Sequence, residues 1–124
     1  MPNGPSVSIA RLAHDFYSLG NASPAELVRR SGFVDAAGDV TAEAIAASLQ
    51  ENRSWLLAWD RYVDDWRGSP QWAYSPRKDG RFDVYFFDPE ADHRPEPMVV
   101  DSHARAAAEY ALRHVGYIAS GTLT

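Results

Sequence analysis

The hydrophobic pattern of this chain changes its period twice, and that change limits the possible folds more than any other feature of the sequence. Over residues 8–66, apolar residues recur every three or four positions, which is the spacing of amphipathic helices. Between Gly68 and Asp101 the pattern partly alternates and is rich in aromatic residues, as in β-strands, and helical spacing then returns. We therefore predict an α+β fold in which N-terminal helices precede a small antiparallel sheet of about three strands. A C-terminal helix is expected to pack on that sheet.

The N-terminal part contains two short helical segments and one longer one. The first is predicted over Ser8–Leu19. The second begins at Ser23-Pro24-Ala25-Glu26, which combines an N-cap serine, a proline at the first helical position and a capping-box glutamate, and it ends at Gly32. The third begins near Thr41. We expect it to break within Asn52-Arg53-Ser54, where Ser54 would cap a separate aromatic helix, instead of running unbroken to residue 66.

The middle of the chain, residues 70–100, contains a predicted hairpin and a third strand. Residues 71–75 and 81–87 have strand character, and Asp79-Gly80 between them favours a tight turn. Because side chains alternate across a strand, each face of the second strand receives a different set. One face carries Phe82, Val84 and Phe86, and the other carries Asp83, Tyr85 and Phe87. The third strand is predicted at residues 98–100, and the last helix at 102–115, ending before Gly116.

Composition favours a single domain spanning residues 1–124. A chain of this length, with 45% hydrophobic residues, can form one core. It contains no cysteine, which excludes a disulfide scaffold, a thiolate nucleophile and a cysteine-ligated metal site. The N-terminus lacks the features of a secretory signal, and no apolar run approaches the roughly 20 residues that span a membrane. We expect a cytoplasmic protein without a membrane partner.

The charge balance selects among the possible partners. The chain has 12 Lys and Arg residues against 17 Asp and Glu residues, a formal net charge of −5. Binding to a phosphate backbone requires positive charge on at least one face, and here the basic residues are scattered along the chain. Nucleic acid is therefore disfavoured as a partner. An acidic domain is steered towards basic proteins instead.

Local catalytic and metal-binding motifs are not found. The histidines form no HExxH arrangement, and the sequence contains no GxSxG, GxGxxG or GxxxxGK[ST] pattern. Residues 88–93 alternate oxygen ligands as a calcium loop does, but they lack its glycine and the glutamate at position twelve. We expect no metal and no cofactor. One alternative stays open, a small enzyme whose site is assembled from separated residues such as Asp64, His93 and His103. It requires at least two of them in one concave pocket, with perturbed pKa values.

Six aromatic residues lie close together in the sequence, on both sides of the change in period. They are Trp55, Trp59, Tyr62, Trp66, Trp72 and Tyr74. One interpretation places them in the core between the long helical segment and the hairpin, because aromatic side chains bury large apolar areas. The other makes them a recognition surface, since Trp and Tyr are enriched among the residues that dominate binding energy. We favour the core interpretation for the group, while one or two exposed members could still anchor a partner.

A spaced pattern of aromatic and charged residues runs from Trp55 onwards over about 60 residues. It consists of Trp59-x-x-Tyr62-x-x-Asp65-x-Arg67, Trp72-x-Tyr74, Val84-x-Phe86 and the helix Asp101–His114 with its Ala-Ala-Ala-Glu-Tyr run. This pattern resembles immunity proteins, small bacterial proteins encoded beside polymorphic toxins. The resemblance implies a protein that blocks a cognate toxin by stoichiometric binding. An adaptor or self-associating domain of another pathway is the remaining protein-binding alternative.

The predicted docking site combines the acidic loop Asp88–Glu96 with the helix face that carries Asp60 and Asp64. Six acids lie between positions 83 and 101 against one base, Arg94, which is the steepest local charge imbalance in the chain. The partner-binding residues that we predict are Asp60, Tyr62, Asp64, Tyr85, Asp88, Glu90, Asp92 and Glu96. Exposed acids accelerate the encounter with a basic partner, and an exposed tyrosine slows its dissociation.

Overall fold

The chain folds into helices, then a sheet, then a helix, in the order that the sequence predicts. The structure, a computed structural model, describes residues 4–33, 37–65, 71–87 and 96–119. The described helices are α1 (Gly4–Leu19), α2 (Pro24–Ser31), α3 (Ala42–Glu51), α4 (Arg53–Asp65) and α5 (His103–Ala119). The described strands are β1 (Gln71–Pro76), β2 (Phe82–Phe87) and β3 (Met98–Val100). The predicted α+β class is confirmed.

Local signals set the ends of α2 and the break between α3 and α4. The Ser23 hydroxyl accepts a hydrogen bond from the Glu26 amide at 3.2 Å, and Gly32 ends α2 in the left-handed region with φ 77°. The predicted break is confirmed and lies at Asn52, whose backbone leaves the helical region (φ −131°, ψ 79°). The Asn52 carbonyl accepts a hydrogen bond from the Trp55 amide at 2.9 Å. Ser54 therefore lies inside α4 and does not cap it.

Two helix boundaries differ from the prediction. Helix α1 begins at Gly4 and not at Ser8, and the proline at position 5 suits its first turn because an amide there has no acceptor within the helix. Helix α5 continues through Gly116 to Ala119. Ile118, one turn beyond the predicted end, is buried. The burial of that side chain outweighs the cost of about 1 kcal/mol for a glycine inside a helix.

The three strands form one antiparallel sheet in the order β1-β2-β3. Tyr74 pairs with Val84 across the hairpin, whose turn ends at Gly80 with φ 88°. The β2 face that carries Phe82, Val84 and Phe86 packs on α5, as the contact between the Phe86 and Tyr117 rings shows at 5.8 Å. The hairpin, the third strand and the covering helix agree with the prediction.

The aromatic cluster forms the centre of the core. Trp59 is fully buried, and its indole Nε1 donates to the Ala10 carbonyl of α1 at 2.9 Å. Tyr62 and Tyr74 are also buried, while Trp55 and Trp72 are half-buried and pack against the core. Position 66 lies outside the described residues. The core interpretation is thus confirmed for the described members of the group, because each of them either lies in the core or contacts it.

A buried polar pair lies inside this aromatic core. The Tyr62 hydroxyl and His114 Nε2 are 2.7 Å apart, and neither side chain has any exposed surface. Tyr110 stacks on the imidazole with 5.3 Å between ring centroids. Burial lowers the pKa of His114 to about 4, so this histidine is neutral at physiological pH. Helices α4 and α5 are joined through an uncharged hydrogen bond.

The depressed pKa of His114 predicts a pH dependence of stability. Between pH 6.5 and about 4 the unfolded chain binds a proton at His114 that the folded chain does not bind. The stabilisation linked to this residue is complete above pH 6.5. It is lost as pH falls towards 4, by about 1.4 kcal/mol per pH unit.

The pH dependence can be measured by urea unfolding of the wild type and of His114→Phe at pH 7, 6 and 5. The variant retains a buried ring that cannot titrate. We expect the wild type to lose free energy of unfolding faster than the variant as pH falls. Parallel pH profiles would contradict the assignment.

Candidate functional site

An open pocket of about 360 Å³ lies where α4, the hairpin and the start of α5 meet. Its described lining consists of Asp60, Val63 and Asp64 of α4, Tyr74 and Pro76 of β1, Phe82 of β2 and His103 of α5. The three α4 residues share one helical face because they are spaced by three and four positions. The predicted docking residues Asp60 and Asp64 are therefore brought together at this pocket.

Asp60 holds the pocket together by accepting two hydrogen bonds at one oxygen. The Tyr74 hydroxyl and His103 Nε2 both bond to Asp60 Oδ1, the latter at 2.7 Å. Phe82 stacks on the imidazole with 5.1 Å between centroids and 9° between planes. Burial, reinforced by the hydrogen bond to Asp60, raises the pKa of Tyr74, so its hydroxyl remains a neutral donor. The carboxylate of Asp60 is thus held in a defined orientation before any ligand arrives.

The walls of the pocket combine apolar surface with negative charge. Val63, Pro76 and Phe82 supply apolar and aromatic surface, and Asp60 and Asp64 supply two carboxylates. No lysine or arginine is among the lining residues in the described part of the chain. Such a pocket fits an amphipathic cation, because lysine and arginine have an apolar stem and a charged end.

Tyr62 does not belong to this surface, and the expectation that it is exposed is wrong. It is fully buried and bonds to His114 on the inner side of α4. The physical reason is helical geometry, since residues two positions apart, such as Asp60 and Tyr62, do not face the same side. A face that presents Asp60 and Asp64 to solvent turns Tyr62 into the core.

The remaining predicted residues are distributed over other parts of the molecule. Tyr85 is half-buried on the β2 face opposite α5, paired with Ala73, and does not line the pocket. Glu96 is exposed two residues before β3. The predicted partner residues Asp88, Glu90 and Asp92, and His93 of the enzyme alternative, lie outside the described residues.

Sequence reasoning missed four members of the pocket, which are Val63, Tyr74, Pro76 and Phe82. The alternating pattern could place Tyr74 and Phe82 on one face of the hairpin, because the register brings residues 74–76 opposite residues 82–84. It could not show that this face also meets α4, since that contact joins segments far apart in the chain. The core interpretation of the aromatic residues did not indicate a pocket, because Tyr74 is buried and also lines the pocket.

The described residues give no sign of a metal centre or a membrane span. Within 4–33, 37–65, 71–87 and 96–119, no group of three or more His, Asp or Glu residues is placed to hold a metal ion. No helix in those ranges is both long and apolar enough to cross a bilayer. The chain matches no family model, no curated protein and no solved structure. Its function has to be inferred from the chemistry of its surfaces.

The bond between Asp60 and Tyr74 predicts a coupled effect on stability. Asp60→Ala leaves the buried Tyr74 hydroxyl without its acceptor and should cost about 1–3 kcal/mol of unfolding free energy. Tyr74→Phe removes the hydroxyl itself and should cost about 1 kcal/mol. The double variant should be more stable than the sum of the single losses predicts, by about 0.5–3 kcal/mol. Urea unfolding of the four proteins measures this coupling, and additive losses would show that the bond contributes nothing.

Proposed function

We propose that this protein binds a basic protein partner at the pocket around Asp60 and Asp64, and that it acts as an immunity protein that neutralises a toxin. The observation that carries the proposal is the pairing of two carboxylates with apolar walls in one open pocket. The resemblance of the second half of the chain to immunity proteins supports the same function.

The pocket suits the side chain of an arginine or lysine supplied by the partner. The aliphatic stem would pack on Val63, Pro76 and Phe82. The charged end would pair with the carboxylates, and charge-assisted hydrogen bonds of this kind are stronger than neutral ones. Because Tyr74 and His103 already hold Asp60 in place, less side-chain entropy is lost on binding.

Overall charge supports the same kind of partner. A net charge of −5 attracts basic proteins over a distance and raises the rate of encounter, most strongly at low salt. Many toxin domains are basic because they attack nucleic acid, and a negative inhibitor finds them quickly. Neutralisation by binding requires no chemical step from the inhibitor. The α+β fold argues neither for nor against toxin neutralisation, because one fold supports many functions.

Reversing one charge in the pocket should abolish neutralisation. The assay is growth rescue when the protein is co-expressed with the toxin encoded by the adjacent gene, followed by affinity measurements on the purified pair. Asp64→Lys places a cation where the partner's cation binds, and we expect at least about tenfold weaker binding and no rescue. The loss should diminish at high salt.

Glu51→Lys is the matched control, because it makes the same change of charge on an exposed residue next to the opposite end of α4. We expect it to retain rescue. Equal effects of the two variants would show that only net charge matters. Failure of the wild type to rescue would contradict the proposed function.

A second candidate function, acid–base catalysis, is favoured by the contact between His103 and Asp60. Asp64 and His103 line one pocket, which meets the spatial requirement of the enzyme alternative for two of its three residues. A carboxylate bonded to a histidine orients the imidazole as a general base. The described lining contains no serine, threonine or cysteine, and a water molecule activated by His103 is the simplest nucleophile for such a reaction.

His103→Gln separates the two functions, because glutamine can still donate to Asp60 but cannot accept a proton. Under the binding function, we expect the variant to retain toxin neutralisation. We also expect p-nitrophenyl acetate and bis(p-nitrophenyl) phosphate to be hydrolysed no faster by the wild type than by the variant. Turnover that requires His103 would support catalysis instead.

A further inference from the structure

A groove of about 670 Å³ runs along the outer edge of β3, on the other side of the start of α5 from the Asp60 pocket. Helix α3 forms one wall, where Ala46 and Ala47 leave room because their side chains are small. Strand β3 forms the facing wall, and the first turns of α5 complete the lining. The groove therefore lies between a helix and the edge of a sheet, where an extended chain could fit.

The backbone of β3 is bonded on one side only within the described residues. Its three residues pair with β2, and no described strand lies beyond it. An edge strand directs about half of its amide and carbonyl groups away from the sheet, and these can bond to an added strand. Met98 and Val99 are 37% and 40% exposed, so β3 presents apolar side chains to solvent on both of its faces. Both features are typical of strand addition.

Charge around the groove specifies the kind of strand that would fit. Glu96 and Asp101 flank β3 at its two ends, and Glu43 lies on the facing wall. Glu109, also in the lining, is already neutralised by two arginines, including Arg105 at 2.8 Å. No ion pair to Glu43 or Asp101 is found in the part of the chain that the structure describes. The acids at the ends of β3 are complementary to lysine or arginine on either side of an apolar segment.

A second copy of this chain does not meet that requirement. Symmetric antiparallel pairing of two β3 edges about Val99 would place Asp101 opposite Pro97 and next to Glu96 of the other copy. Like charges would meet at both ends of the pair, between molecules that each carry −5. The charge pattern therefore favours a different, basic chain.

We propose that this groove binds an extended segment of a basic protein, which adds to the edge of β3 as a fourth strand. Because Met98 and Val99 lie on opposite faces of the sheet, the segment would place an apolar or β-branched side chain beside each of them. A lysine or arginine would face each of Glu96 and Asp101. The inference rests on the proposed function and describes a second contact with the same partner. Asp101 of the groove and His103 of the pocket are two residues apart, so one partner can reach both sites.

Strand addition can be tested with a synthetic peptide and does not require the partner itself. The probe is a capped peptide of seven residues, Arg-Val-Thr-Val-Thr-Val-Lys. The control is the same peptide with every interior amide N-methylated, which retains charge and side chains but cannot donate backbone hydrogen bonds. We expect the unmodified peptide to shift the amide NMR signals of residues 96 and 98–102 and to slow hydrogen exchange there. The methylated peptide should bind at least about tenfold more weakly.

Two variants locate the binding on the protein. Val99→Lys puts a charge on the strand that the peptide covers, and it should weaken binding about tenfold or more. Leu57→Lys makes the same kind of change at a 48% exposed residue of α4, and it should leave binding unchanged. Equal binding of the two peptides, or signal shifts confined to the Asp60 pocket, would overturn strand addition.

The two proposals can fail separately. If the wild type neutralises the toxin, Asp64→Lys does not, and the peptide leaves β3 unchanged, then strand addition is wrong while the proposed function stands. If the peptide adds to β3 but the protein rescues no cells, the groove is supported as a strand-binding site and the toxin-neutralising role is overturned.

Discussion

The buried hydrogen bond between Tyr62 and His114 fixes α4 against α5, and the geometry of the Asp60 pocket depends on that alignment. Both side chains are shielded from solvent, and a buried polar group that lost its partner would cost about 1–3 kcal/mol. Asp60 and His103 join the same two helices again about three turns away along α5. One contact is buried and the other lines the pocket. A shift of α5 that preserved the core bond would therefore still be restricted at the site.

Helix α4 connects the core to the site through residues that are close in sequence but face different directions. Trp59 bonds to α1, Asp60 to β1 and α5, and Tyr62 to α5. Because successive residues of a helix point about 100° apart, three neighbours can contact three different elements. The polar surface at Asp60 is held by the same helix whose other side carries the fully buried Trp59 and Tyr62. This arrangement ties the Asp60 carboxylate to β1 and α5 while the same helix is anchored in the core.

The sequence predicted the parts of the fold that depend on local chemistry. The Ser23 cap, the turn before Gly80 and the break at Asn52 each follow from residues within a few positions of one another. The predicted end of α5 was wrong. Gly116 is a local stop signal, but the helix continues past it because Ile118 is buried by tertiary packing. Tyr62 was placed on the surface although its spacing from Asp60 argued against a shared face. At the site, Asp60 and Asp64 could be paired from helical spacing, but their contact with the hairpin could not.

Two acids, Asp60 and Asp101, lie close to the N-terminus of α5. Ser102 caps this helix by accepting from the Arg105 amide at 3.1 Å, Asp101 precedes the cap, and Asp60 bonds to the first residue of the helix. The N-terminus of a helix carries about half a positive charge, which stabilises nearby carboxylates by about 0.3–1 kcal/mol each. The backbone of α5 thus partly compensates these carboxylates. Charges compensated in this way can still pair with a partner's cations. Two modest contacts on either side of one helix end would then act together, because binding at one raises the effective concentration at the other.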